Sequence, residues 1–104
     1  MIRPPMDLAT FEMKAGEVSN LLKAMGNARR LMVLCKLVEH GEMTVGDLAR
    51  EVGLSQSALS QHLARMREEG LVAFRRESQT IWYRIADPRT EQLLASLYTI
   101  FCKE

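Results

Sequence analysis

Two closely spaced helix-start signals restrict the fold of this chain more than any other feature of its sequence. Thr44 is a good N-cap and is followed three residues later by Asp47, as in a capping box. Ser55 is an N-cap for a second segment that stops at Gly70, and Gly53 breaks the chain between the two. Since apolar residues follow both caps at helical spacing, we predict two short helices joined by a turn of about three residues. This is the helix-turn-helix outline.

After Gly70 the apolar pattern changes from the period of a helix to that of a strand. Apolar and polar residues alternate on both sides of Ser78-Gln79, which predicts a β-hairpin over residues 71–85. A last helix then begins, with Asp87 in the N-cap position and Pro88 in the first helical position.

The N-terminal helix has an apolar stripe with alternating spacings of three and four residues. The stripe consists of Leu8, Phe11, Ala15, Val18, Leu22 and Met25. This pattern is typical of a helix that packs against another helix, either in a dimer seam or on the core of its own domain. The last helix has apolar residues on two faces, more than a small core needs. We therefore expect the first and last helices to contact a second subunit.

Another helix is expected over residues 28–39. Its apolar face consists of Leu31, Leu34, Cys35 and Val38. We expect this face to pack inward and Arg29-Arg30 to point elsewhere.

Together these elements predict one domain over residues 1–104 that is mainly α with a small β-hairpin: four helices, the hairpin and a fifth helix. Its parts are a flexible tail over residues 1–7, the helix-turn-helix over residues 44–69 and a wing over residues 71–85. A chain of 104 residues, 47% hydrophobic and 26% charged, has the size and composition of a single globular domain.

The overall charge identifies no partner, because the 14 Lys and Arg residues are nearly balanced by 13 Asp and Glu residues. Residues 54–85 hold five basic and three acidic residues, so a modest basic excess falls on the helix-turn-helix and hairpin. No apolar run has the length of a membrane span, and residues 1–5 contain no signal-peptide core. We therefore expect a cytoplasmic protein without a membrane partner.

The second helix of the helix-turn-helix turns small and polar side chains outward when Leu59, Leu63 and Met66 face inward. These side chains are Gln56, Ser57, Ser60, Gln61, Ala64 and Arg65. Gln and Ser can bond to base edges, and small residues let a helix sit deep in a groove. A merely solvated face would more often carry Lys and Glu pairs. We interpret this face as one that reads DNA.

Three further residues are candidates for DNA contacts around this helix. His62 lies on its flank, where we expect it either to pack or to contact the DNA backbone. Arg75 and Arg76 lie near the hairpin tip, from which they would reach phosphates or a minor groove.

Three segments of the sequence carry a family resemblance. They are residues 46–49 (GDLA), residues 54–63 (LSQSALSQHL) and residues 70–72 (GLV), and they resemble the ArsR/SmtB family. Members of that family are homodimeric winged helix-turn-helix repressors of bacteria. The resemblance covers nearly the whole chain and implies a dimer formed by the first and last helices. We expect such a dimer to bind an inverted repeat in double-stranded operator DNA.

The chain differs from the metal sensors of that family. Thr44-Val45-Gly46 stands where such sensors carry Cys-Val-Cys, so both thiolates are missing. Asp87 and Glu91 are present at the start of the last helix, but residues 86–104 contain no His. With His only at positions 40 and 62, we expect no metal site and no other cofactor.

Cys35 and Cys102 have two readings. They are either small buried hydrophobes or reactive thiols, and Lys103 would favour the thiolate of Cys102. Their positions resemble the BigR/SqrR/HlyU branch of the family, whose members respond to persulfides or related oxidants. The resemblance implies that reactive sulfur species join the two residues through a disulfide or polysulfide bridge and release the operator.

The sequence leaves one alternative to this redox switch open and argues against another. The first is a repressor of the same type with structural cysteines and a different signal, a metal or an oxidant. The second is an enzyme, which we do not expect, because the sequence lacks a resolving CxxC motif, a Ser/His/Asp set and a phosphate loop. We also expect no substrate pocket in a chain this short.

Overall fold

A computed structural model describes residues 6–102. Over this range the elements are α1 (Leu8–Met25), α2 (Ala28–His40), β1 (Met43–Thr44), α3 (Val45–Val52), α4 (Gln56–Glu68), β2 (Val72–Glu77), β3 (Thr80–Ile85) and α5 (Pro88–Phe101). The predicted fold class is confirmed, with β1 as an addition. Residues 1–5 of the predicted tail lie outside the described range, and Asp7 belongs to the start of α1.

Each helix in the described range begins at a polar side chain that accepts backbone N–H bonds. These N-caps are Asp7, Asn27, Thr44, Ser55 and Asp87. Thr44 Oγ1 accepts the N–H of Asp47 at 3.2 Å, and Ser55 Oγ accepts that of Ala58 at 3.1 Å. A cap of this kind stabilises a helix by about 1 kcal/mol. The predicted caps therefore fix where α3, α4 and α5 begin.

The core lies where α2, α3 and α4 pack against the first residues of β2. Its least exposed members are Val33, Leu34, Leu37, Leu48, Leu59, Leu63, Met66, Leu71 and Val72. Along α4 the buried stripe is the predicted one, Leu59, Leu63 and Met66. Because this stripe is fully buried, the rotation of α4 about its axis is fixed, and so is the face that it turns to solvent.

Helix α2 is rotated relative to our prediction. Its buried residues are Val33, Leu34 and Leu37. Cys35 and Val38 are exposed, so the prediction that they pack inward is wrong. The inward stripe instead runs through Arg30, whose side chain is only 12% exposed, so the prediction that Arg30 points elsewhere is also wrong. An arginine at an inward position made the true core stripe look polar.

The three strands form one antiparallel sheet in the order β1-β3-β2. Phe74 and Arg75 of β2 lie opposite Tyr83 and Trp82 of β3, and Tyr83 also pairs with Met43 of β1. We did not predict β1, because two residues are too few to show the alternation of a strand.

Helices α1 and α5 leave large apolar side chains exposed in the single chain. They are Leu8, Phe11, Met13 and Leu22 on α1, and Tyr98, Ile100 and Phe101 on α5. No helix within residues 6–102 combines the length and the apolar character that crossing a membrane requires. The exposed apolar side chains of α1 and those of α5 each form an apolar band, and such bands mark a surface for a partner. That the partner is a second copy stays a prediction.

Candidate DNA interface and cysteine pair

The outward face of α4 presents the side chains that we predicted to read bases. Gln56, Ser57, Ser60, Gln61 and Arg65 are all exposed. Ala64 is exposed among them, which keeps the face shallow. The Gln amides and Ser hydroxyls supply both hydrogen-bond donors and acceptors, as recognition of base edges requires.

His62 is half-buried on the flank of α4. It borders a cleft of about 560 Å³ that runs beside this helix and is also lined by Gln61, Arg65 and Arg30. Within residues 6–102, no three side chains of the His, Cys, Asp and Glu types are grouped closely enough to hold a metal ion. Whether His62 packs or contacts the DNA backbone stays a prediction.

The two predicted wing arginines have different surroundings. Arg75 donates from Nε to Glu42 Oε2 at 2.9 Å and from Nη1 to Glu77 Oε2 at 2.6 Å. These hydrogen bonds also hold the pKa of the Glu42 carboxyl below its usual value. Arg76 is exposed and forms no ion pair with any carboxylate in the described part of the chain. A phosphate has to displace two carboxylates from Arg75 but none from Arg76.

Glu42 is a residue that sequence reasoning missed. It lies directly before β1 and accepts from Arg75 with both carboxylate oxygens. The guanidinium of Arg75 also lies over the Trp82 ring, 5.7 Å from its centroid. Glu42 and Arg75 are 33 positions apart, so no local pattern could have indicated this pair.

Cys35 and Cys102 are free thiols on two different helices, and both residues are exposed. Cys102 caps α5 and donates its backbone N–H to Tyr98 O at 2.8 Å. Partial burial of the sulfur raises the pKa of the Cys35 thiol, and so does the negative charge of Cys102 when it is ionised. The charge of Cys102 therefore acts on the Cys35 thiol, as the smaller of the two causes. Lys103, the predicted neighbour of Cys102, lies outside the described residues.

Sequence comparison finds relatives that match almost the whole chain. A family model described as "Bacterial regulatory protein, arsR family" matches residues 27–73. The biofilm growth-associated repressor of Xylella fastidiosa (strain 9a5c) is 45% identical over 102 residues, which are 98% of this chain and 89% of that protein. The transcriptional activator HlyU of Vibrio cholerae serotype O1 is 42% identical over 99 residues, which are 95% of this chain and 91% of that protein.

Solved structures with the same fold include two regulators of transcription. The crystal structure of the transcriptional repressor BigR from Xylella fastidiosa matches with a TM-score of 0.88 and 44% identity, over 95% of this chain and 100% of that chain. Reduced HlyU from Vibrio cholerae N16961 matches with a TM-score of 0.81 and 42% identity, over 89% of this chain and 97% of that chain.

Proposed function

Because this chain belongs to the ArsR family of bacterial regulatory proteins, we propose that it is a homodimeric repressor whose operator binding is switched by Cys35 and Cys102. It is a DNA-binding regulator of transcription of the BigR and HlyU type, and not an enzyme. The proposal concerns the DNA-reading surface, the pairing of two chains and the chemistry of the two thiols.

The DNA-reading surface consists of the outward face of α4 and the wing. Base edges are read by Gln56, Ser57, Ser60 and Gln61, while His62, Arg65 and Arg76 bind phosphates. The shallow polar face and its fixed rotation support these roles. Arg75, held by Glu42, fixes the wing in place and meets phosphate only if it gives up that pair.

The dimer buries the exposed apolar bands of α1 and α5. These bands include Phe11 on α1 and Phe101 on α5, which are 48% and 79% exposed in the single chain. A twofold dimer would set two copies of α4 roughly 34 Å apart, one turn of DNA, and so match an inverted repeat.

Sulfane sulfur reacts with the two thiols in balanced steps. One cysteine thiolate attacks the outer sulfur of a persulfide, RSSH, becomes a persulfide itself and expels the thiolate RS⁻. The second cysteine thiolate then attacks the inner sulfur of that new persulfide, forms a disulfide and expels HS⁻. The two thiolates are oxidised, and the sulfane sulfur is reduced to sulfide. If both thiols first accept a sulfur, one persulfide attacks the other, expels HS⁻ and leaves a trisulfide.

Cys102 makes the first attack in this scheme. The raised pKa of Cys35 leaves less of its thiolate at neutral pH, which disfavours Cys35 as the opening nucleophile. Cys35 then acts as the second thiol, at close range to the new persulfide.

The bridge would couple the dimer frame to the reading helix. It joins α5, which carries part of the exposed apolar band, to α2, which shares the core with α4 through Leu34 and Leu37. A small shift of α2 against α5 changes the spacing of the two reading helices, which have to enter successive grooves together. A coupling of about 1–3 kcal/mol corresponds to a loss of operator affinity of about 5–150-fold.

The observation that carries the proposal is the pair of exposed free thiols on α2 and at the end of α5, with the charge of Cys102 acting on Cys35. The test is a titration of reduced and of polysulfide-treated protein with a duplex selected from a random pool. We expect the treatment to weaken binding, and mass spectra of peptides to contain a bridge between Cys35 and Cys102.

Cys35→Ser and Cys102→Ser are the matched controls, and each should bind the duplex without responding to polysulfide. A confirmed bridge with unchanged affinity rejects the switch and favours the repressor with structural cysteines and another signal.

A further inference from the structure

A cleft of about 740 Å³ that is open to solvent lies among the helices α1, α2, α4 and α5. We call it the four-helix cleft. Its volume falls within the range of about 300–1,000 Å³ that small-molecule sites occupy.

Arg30 is an under-paired cation in the wall of the four-helix cleft. Its Nη1 donates to the carbonyl oxygen of Ala24 at 3.1 Å, while its Nε is buried and has no acceptor within residues 6–102. Glu69 Oε2 is 3.8 Å from Nη1, which is too far for a hydrogen bond. A largely buried guanidinium whose nearest carboxylate is 3.8 Å away is costly, so an anion beside the terminal nitrogens of Arg30 would be bound favourably, although the enclosed Nε does not open to the cleft.

The other charges of the cleft also favour an anion. Arg89 and Glu17 neutralise each other at 3.3 Å, and Arg89 is held as well by Asp87 at 2.7 Å. Lys23 and Arg65 line the same cleft and form no ion pair with a carboxylate of residues 6–102. Two unpaired cations therefore stand beside the under-paired Arg30.

The cleft also has an apolar side. Val18, Leu21, Ala24 and Leu93 line it. This side would receive the apolar body of a ligand whose charged end lies at the cations, an arrangement common in small-molecule sites.

The cleft adjoins the apolar bands that we assign to the dimer and shares Val18 with the predicted stripe of α1. It is lined by residues 17–24 of α1 and by Arg89 and Leu93 of α5. Most of the exposed apolar side chains, such as Leu8 on α1 and Tyr98 on α5, lie towards the opposite ends of these helices, whereas Leu22 lies within the cleft-lining stretch of α1.

We infer that the four-helix cleft binds a small organic anion with an apolar body, such as an aryl or alkyl carboxylate. Arg30 and Lys23 bind the anionic group, and the side with Leu21 and Leu93 holds the apolar body. The site does not include Cys35 or Cys102, so its ligand would be a second signal to the regulator.

Arg65 connects this site to DNA binding. It lines both the four-helix cleft and the cleft beside the base-reading face, where Gln61 and His62 lie. An anion that engages Arg65 removes a cation from the DNA surface, so the bound ligand lowers operator affinity. This consequence rests on the proposed function, whereas ligand binding itself does not.

The experiment uses sodium 4-phenylbutyrate as probe and the uncharged 4-phenylbutanol as control, with the reduced full-length protein and no DNA. In ¹H–¹⁵N NMR spectra we expect saturable shifts at Leu21, Ala24 and Leu93, and binding of the alcohol that is weaker by about ten-fold. Arg30→Gln should weaken binding of the carboxylate to a similar degree. Arg50→Gln, at an exposed position on α3 outside the cleft, should leave it unchanged.

Lys23→Gln keeps the test valid if Arg30→Gln disturbs the fold, because Lys23 is exposed. It should weaken binding of the carboxylate several-fold. Shifts that do not saturate at millimolar probe, or equal binding of the alcohol, overturn the site. In a second arm, 4-phenylbutyrate should weaken binding of the selected duplex by the wild-type protein. Ligand binding without that effect overturns the coupling through Arg65, whereas wild-type protein that binds no duplex contradicts the proposed function and leaves the first arm intact.

Discussion

The guanidinium carbon of Arg67 lies 4.8 Å from the centroid of the Phe74 ring. Arg67 belongs to the last turns of α4 and Phe74 to β2, so this cation–π contact joins α4 to the wing. Phe74 in turn packs against Tyr83 with ring centroids 5.5 Å apart, and Tyr83 pairs with Met43 of β1. These contacts therefore link α4 to the wing.

A double-mutant cycle with Arg67→Gln and Phe74→Leu measures this contact. We expect a coupling of about 0.5–1 kcal/mol in the free energy of unfolding, the usual range for a cation–π pair near the surface. Urea unfolding of the four proteins gives the value. Strictly additive effects of the two substitutions would show that the contact does not hold the wing.

Gln61→Ala should change sequence preference more than overall affinity. The side chain lies on the exposed face of α4, where loss of a base contact costs about 1–3 kcal/mol against the preferred base. Binding to a panel of single-base variants of the selected duplex measures the effect, and Ser57→Ala should act in the same way at another position. A uniform loss across the panel would mean that Gln61 contacts only the backbone.

The two wing arginines should differ in their effect on salt dependence. Arg76→Gln should lower the slope of log affinity against log salt by about 1, because one phosphate contact is lost. Arg75→Gln should change the slope less, since Glu42 and Glu77 already compensate its charge. Affinity measured at several salt concentrations separates the variants, and the reverse order would assign the phosphate contact to Arg75.

The alkylation of Cys35 should require higher pH than that of an unfolded cysteine. Its raised pKa keeps the thiol protonated over a wider pH range, and iodoacetamide reacts with the thiolate. In Cys102→Ala the midpoint of the rate–pH profile should fall, because the charge of Cys102 is gone. It should stay above that of the unfolded thiol, because burial is the larger cause. An unchanged midpoint in this variant contradicts the proximity of the two residues.

Phe11→Glu and Phe101→Glu should each convert the dimer into monomers. Both side chains are exposed in the single chain, so the change removes little from its own core. Burial of one Phe contributes about 1.5–3 kcal/mol and occurs twice in a twofold dimer, which predicts a dissociation constant raised about 100-fold or more. Sedimentation equilibrium measures it. Lys14→Glu, at an exposed position outside the apolar stripe of α1, is the control and should remain dimeric.

The parts of the structure that the sequence predicted best depend on short-range interactions. Thr44 and Ser55 cap their helices through N–H groups three residues away, and Leu59, Leu63 and Met66 share one face of a single helix. Such features are visible in any short window of sequence. They also predicted correctly which face of α4 is exposed, because the rotation of the helix follows from the buried stripe.

The errors concern residues whose surroundings come from distant parts of the chain. Arg30 faces inward because the Ala24 carbonyl of α1 and Glu69 at the end of α4 meet it there. Because Arg30 faces inward, α2 is rotated from its predicted orientation, and Cys35 lies on its exposed side. The pair of Arg75 with Glu42 likewise depends on β1, which is too short to leave a pattern. No window along the sequence contains these partners together.

The rotation of α2 also bears on how such regulators diverge. The buried arc of α2 runs through Val33 and Leu37, while Cys35 lies on the neighbouring, exposed arc. Side chains on that exposed arc of α2, and those at the end of α5, can therefore be substituted during evolution while the buried core stays the same. Regulators that descend from one ancestor can then evolve responses to new signals while they keep the same α4.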